Sequence, residues 1–176
     1  GYQAIVPLYL NNVPTNMASK KNVPVKQKVI TLTKCIQYQC DVTPEEIIEE
    51  SLKVFRIIKK LEAQGYRCVL NVAEYIEKYG KAYCFKVRVK NSTEKLNISK
   101  LAFPLVHPSM LRRLMFRMIE VHPRVPQQFT SGYGHPMNDM KAVKTAFVPE
   151  KGEYILPNKI KIDVDKINSI EDLEML

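Results

Sequence analysis

The chain has 176 residues, 45% of them hydrophobic, and a formal net charge of +9. That is apolar material for one buried core, and it excludes an intrinsically disordered chain, which is poor in such residues. No apolar run approaches the roughly 20 residues a membrane-crossing helix needs, and GYQAIVPLYLNNVPTNM lacks the order of basic, apolar and small residues that marks a signal peptide. A cytosolic protein, or a soluble piece of one with no membrane partner, is expected. Gly1 and the abrupt end at Leu176 read as the limits of a piece cut from a longer chain.

Residues 1–24, with three prolines, Asn11-Asn12 and Lys20-Lys21, read as an extended arm; residues 25–176 read as one α/β domain. Its first strand is VKQKVITLTKCI, dense in β-branched and aliphatic residues. A helix follows with a full set of start and stop signals: Thr43 as N-cap, Pro44 at N1, Glu46 completing a capping box, and Gly65 at the end. Ile47, Ile48, Ser51, Leu52, Phe55, Ile58 and Leu61 recur at three- and four-residue steps and predict its buried face. Glu45, Glu46, Glu49 and Glu50 precede Lys53, Arg56, Lys59 and Lys60, as the helix dipole favours, so the glutamates need no catalytic role.

YRCVLNVAEYIEK reads as an interior parallel strand through Cys68, Val69, Leu70, Val72 and Ala73, completing a βαβ unit. In AYCFKVRVK, Tyr83, Phe85, Val87 and Val89 alternate with Ala82, Cys84, Lys86, Arg88 and Lys90, which predicts an antiparallel edge strand with a cationic outer face. Two helical pieces follow, residues 97–105 and a run capped by Ser109 whose apolar face is Met110, Leu111, Leu114, Met115, Met118 and Ile119. Residues 121–152 read as a long loop, YILPNKIKIDV as a last strand, and Ser169 as the start of a short helix.

The charge is uneven. Lys20, Lys21, Lys26, Lys28 and Lys34 meet no acid before Asp41, and residues 81–140 hold ten Lys or Arg against Glu94, Glu120 and Asp139. Lys81, Lys86, Arg88, Lys90, Arg112, Arg113, Arg117 and Arg124 are the candidate basic binding surface, able to meet an acidic protein surface or a nucleic acid. Cys35, Cys40, Cys68 and Cys84 lack metal-ligand spacing and read as small buried hydrophobes. His107, His122 and His135 sit beside or near prolines and read as turn or packing residues. No GxGxxG follows a strand, no GxxxxGK[ST] occurs, and Ser131 lacks a nucleophile elbow. No cofactor, metal site or catalytic residue is expected.

The element order and the Thr43 helix cap resemble a three-layer Rossmann-like domain, and more narrowly a von Willebrand A-like core with an antiparallel edge strand and helices on both faces of the sheet. In that family the first strand ends in Asp-x-Ser-x-Ser, which holds a divalent cation through oxygen donors. Here the matching positions read Cys35-Ile36-Gln37-Tyr38-Gln39, so the resemblance does not carry the metal site over. VPLYLNNVPTNM, LEAQGYR and KLAFPLVHPSMLRRLMFRMIE also resemble a bacteriophage or prophage family of no established activity, which implies a host-cell or virion location and a phage assembly component as partner. The preferred reading is a non-enzymatic binding or scaffold protein engaging a protein or other polyanionic partner. The second is nucleic-acid binding, with Tyr83 or Phe116 stacking on bases. The third is a hydrolase or nuclease drawing on His or Asp in residues 121–140.

Overall fold

The computed structural model describes residues 3–12, 17–18, 28–78, 81–123, 125, 143, 147–167 and 169–175. In the N-terminal segment β1 (Gln3–Ala4) pairs antiparallel with β2 (Met17–Ala18), and between them α1 (Val6–Leu10) buries none of its residues. The main sheet has four strands, β3 (Val29–Cys35), β4 (Arg67–Lys78), β5 (Lys81–Lys90) and β6 (Glu153–Leu156), in the order β5-β4-β3-β6. β3 is central and parallel to both neighbours, whereas β5 is antiparallel to β4 and forms an edge. The sequence expectation of an α/β fold with an antiparallel edge strand is met.

Between β3 and β4 runs α2 (Pro44–Ala63), with the predicted ends. Thr43 Oγ1 accepts from the Glu46 N–H (3.3 Å) while Glu46 Oε2 accepts from the Thr43 N–H (2.9 Å), so the capping box is closed. Gly65, at φ +89°, lets the Tyr66 N–H reach the Leu61 carbonyl and the Gly65 N–H reach that of Glu62, satisfying the last turn. The buried face is turned slightly from the predicted one. Val54 and Ile57 are buried with Phe55, Ile58 and Leu61, while Ile48 and Leu52 face outward.

The sheet alternation sorts residues cleanly. Ile30, Leu32, Ile36, Cys68, Leu70, Val72, Ile76 and Phe85 point to the side covered by α2, by α3 (Ile98–Val106), by a π-helical stretch Met110–Met115, by α4 (Phe116–Val121) and by the C-terminal segment. Cys35, Ala73, Tyr75 and Ile155 point the other way and meet Val143, with Cys84 and Phe147 packed at the margin. The helices α2, α3 and α4 and the π-helical stretch cover the first of these faces. On the other face Val143 is itself helical, and its neighbours at 141–142 and 144–146 lie outside the described residues, so the described structure leaves the three-layer expectation at an α/β fold with a mixed four-stranded sheet.

Three local expectations change for identifiable reasons. The π-helical stretch lets the Phe116 N–H reach the Leu111 carbonyl, five residues back. The wider turn keeps Met110, Leu111, Met115 and Ile119 inside and swings Leu114 outward, against a plain 3.6-residue reading. The last strand stops at Leu156, before Pro157; Ile160 enters the core from irregular chain and Val164 from a 3-10 turn, Val164–Lys166. The expected short C-terminal helix forms with 3-10 geometry over Glu171–Met175, the Asp172 carboxylate accepting from the Ser169 N–H (2.8 Å).

That irregular tail is fastened by ammonium groups. Lys34, fully buried on β3, donates to the carbonyls of Pro157 (2.6 Å) and Asn158 (2.7 Å) and stands 3.8 Å from Glu50 on α2. Glu50 also holds Lys53 (2.7 Å) and the Ile160 N–H (2.7 Å). Lys53 reaches the Ile160 carbonyl (3.0 Å), and Lys60 reaches the carbonyls of Val164 (2.9 Å) and Asp165 (3.0 Å). Burial pulls the Lys34 ammonium down to about 8, with Glu50 acting in the opposite direction. Lys34→Met leaves two carbonyls and part of the Glu50 charge unsatisfied in the core; chemical denaturation is expected to register a loss of about 3–5 kcal/mol.

Glu74 is the converse case. Strand alternation places it between Val72 and Ile76 on the helix side, where it is fully buried and neither carboxylate oxygen has a hydrogen-bond partner among the described residues. Burial pushes its carboxyl up to about 8. Between pH 4.5 and 8 the folded state then keeps a proton that the unfolded state has released, so this contribution to stability is whole at low pH and declines as pH rises through that window. The unfolding free energy from chemical denaturation between pH 5 and 8 should fall for the wild type by up to about 1.4 kcal/mol per pH unit, and Glu74→Gln should flatten the slope.

Candidate functional site

The corner after β3 is the position where open α/β sheets place ligands, since strands on either side of β3 leave a crevice at its carboxyl end. Gln37 occupies that corner with its amide fully committed: Nε2 donates to the Tyr75 carbonyl (3.0 Å) and Oε1 accepts from the Tyr75 N–H (2.9 Å). The side chain thereby extends the β3–β4 ladder beyond the last backbone pair. Its main-chain oxygen accepts from Asn158 Nδ2 (2.9 Å). Among the described residues no group of three or more His, Cys, Asp and Glu is placed to hold a metal ion. His107 stacks on Phe103 (5.3 Å between ring centres) and His122 meets the edge of Phe85 (5.9 Å), on separate parts of the helical layer; His135 lies outside the described residues.

All four cysteines are free thiols. Cys35 and Cys68 are buried and Cys84 is half-buried, and desolvation pushes their thiols up to about 11, 12 and 12. Cys40 departs from the sequence expectation. It is exposed in the turn before α2.

Beside this corner a cavity of about 420 Å³ opens on the helix side of the sheet. The chain leaving β3 supplies Ile36, Tyr38 and Cys40, the start of α2 supplies Ile47, the end of α3 supplies Leu105 and His107, and the π-helical stretch supplies Leu111 and Arg112. Apart from Arg112 every charged residue is absent from its lining. The Tyr38 ring lies 5.9 Å from the Lys34 ammonium, which backs this wall from inside the core.

The predicted basic surface is divided by the sheet. Lys86 and Arg88 emerge from β5 on the face opposite the helices, where a polar recess of about 390 Å³ is lined by Thr31, Asn71, Lys86, Arg88, Glu150, Lys151 and Glu153. Glu153, nearly buried, is held by Lys86 Nζ (2.7 Å), the Thr33 hydroxyl and the Glu150 N–H (3.3 Å). Hydrogen bonds from these neighbours keep its carboxyl below the usual range although burial acts in the other direction. Asn71 Nδ2 donates to Thr33 Oγ1 (3.3 Å) and completes the floor. Arg88 and Lys151 are exposed and have no ion pair or hydrogen bond among the described residues.

Lys90 corrects the alternation reading. Leu70 pairs with Lys90 but Asn71 pairs with Arg88, so Val89 is an extra residue in a β-bulge and the side-chain order inverts there. Lys90 turns to the helix side, where only 2% of it is exposed and its ammonium meets Glu62 (2.7 Å) and the Cys68 carbonyl (2.8 Å). It is a structural cation linking β5 to the end of α2, and it belongs to no accessible surface. Arg112, Arg113 and Arg117 are exposed on the helical layer, away from Lys86 and Arg88, and Arg117 pairs with Glu120 (3.3 Å). Arg124 and the side chain of Lys81 lie outside the described residues.

Comparison with known proteins adds one match. The family model described as Domain of unknown function (DUF7192) covers residues 1–175. No curated protein matches, and no solved structure does.

Proposed function

The chain belongs to the DUF7192 family, a domain of unknown function, and we propose from its own geometry that it is a non-enzymatic binding protein whose polar recess on the open side of the sheet docks an acidic partner protein. The observation that carries this reading is the pair Arg88 and Lys151: both are exposed and uncommitted among the described residues, while the buried acid beneath them, Glu153, is already neutralised by Lys86. Free guanidinium and ammonium groups over a satisfied polar floor present a net attraction to carboxylates at little desolvation cost. A von Willebrand A-like core and a phage or prophage origin belong to the same reading. The β3–α2–β4 unit with its edge strand supports the first, and the sequence pieces quoted above support the second.

A protein surface is favoured over a nucleic acid because the cations form no continuous track. Lys90 is internal, the arginines of the helical layer lie away from Arg88, and Tyr83 and Phe116, the rings suggested for base stacking, are packed against the core. A polyphosphate backbone needs successive phosphate contacts, and sequence-tolerant single-strand binding adds exposed aromatic platforms.

Titration of the protein with a labelled Glu/Asp-rich peptide and with labelled duplex and single-stranded DNA, at two salt concentrations, tests the choice. Peptide binding that weakens with salt, and that Arg88→Glu with Lys151→Glu reduces about tenfold or more, is the expected result. DNA binding with a steep salt dependence and no peptide binding would replace this reading by the nucleic-acid one.

A further inference from the structure

We propose that the apolar cavity at the carboxyl end of β3 is a binding site for a small amphipathic monocarboxylate, an acid with an aliphatic or aromatic body, whose carboxylate pairs with Arg112. The site is separate from the recess assigned to an acidic partner, which opens on the other face of the sheet. Its volume, about 420 Å³, falls within the range of small-molecule pockets, roughly 300–1,000 Å³.

The chemistry of the ligand follows from the walls. Tyr38, Cys40, Ile47, Leu105 and Leu111 offer one aromatic ring, a thiol and branched aliphatic groups, which recognise an apolar body by excluding water from it. Arg112 is the single charged lining residue, exposed and without an ion pair or hydrogen bond among the described residues. Arg117, in α4, is by contrast engaged by Glu120. A guanidinium at the margin of an apolar cavity matches one carboxylate in a two-point geometry. A second or third negative charge on the ligand would find no further Lys or Arg in the lining, where His107 is the remaining nitrogen base. A nucleotide is therefore a poor match and a monoacid a good one.

The π-helical stretch supplies the independent structural reason. Its wider turn buries Leu111 against the core and leaves Arg112, the next residue, on the cavity's margin. Functional sites are a recurrent location for such irregular turns.

The test is calorimetric titration of the purified chain with decanoate and, as the uncharged counterpart, with decanol. Saturable binding of decanoate at one site per chain is expected, with decanol at least tenfold weaker. Arg112→Gln should weaken decanoate at least tenfold while leaving decanol unchanged. Cys40→Trp, at an exposed position whose larger side chain fills the cavity, should abolish both, and Arg113→Gln, outside the lining, should change neither. Circular dichroism of each variant separates misfolding from lost binding. Failure of decanoate to saturate, equal affinity for decanoate and decanol, or unaltered decanoate affinity in Arg112→Gln or in folded Cys40→Trp would overturn the proposal.

Discussion

A buried ammonium holds the central strand to everything around it. Lys34 projects from the middle strand of the sheet into a region with no water to solvate it, where an isolated charge would be prohibitively costly. It is tolerable because the carbonyls of Pro157 and Asn158 and the carboxylate of Glu50 converge on it. The two carbonyls come from the tail leaving β6 and the carboxylate from α2, so meeting the needs of one charge sets the positions of both together. Glu50 then commits its remaining capacity to Lys53 and the Ile160 amide, and Lys60 repeats the device about two turns beyond Lys53 along α2. A tail with almost no regular structure is thereby made part of the core.

The same fastening shapes both recesses. On the helix side it backs the wall formed by Tyr38, and Asn158 in turn holds the Gln37 carbonyl, so the corner after β3 is rigid before any ligand arrives. Gln37 there replaces backbone pairing instead of offering donors to a metal. On the open side, the pairing of β6 with β3 brings Glu153 alongside Thr33, and Lys86 reaches across from the edge strand to neutralise it. Of the cations lining the two recesses, those left without a partner among the described residues are Arg88 and Lys151 on one face and Arg112 on the other.

Several elements were legible in the chain because their signals are local. The ends of α2 depend on Thr43, Glu46 and Gly65, each acting within a few residues. Interior burial of β4 was readable from the apolar run Cys68 to Ala73, broken by Asn71 alone, and the edge character of β5 from its lysines. The failures are equally physical. The bulge at Val89 inverts Lys90 through one unpaired residue that leaves no compositional trace, and the π-helical stretch displaces Leu114 by a change in hydrogen-bond spacing. Lys34 and Lys60 looked like ordinary solvated lysines because nothing near them in sequence supplies their partners.

By itself the sequence determined the class of fold, the best-capped helix, the parallel pair flanking it and the lack of any compact phosphate- or metal-binding motif, since all of these arise from propensity, periodicity and spacing within short windows. Tertiary structure alone decided which cations are available. Whether a lysine is a binding group or a buried tether depends on carbonyls and carboxylates more than a hundred residues away, as Lys34 and Pro157 illustrate. Electrostatic meaning resides in three-dimensional neighbours, and a charge pattern along the chain does not contain them.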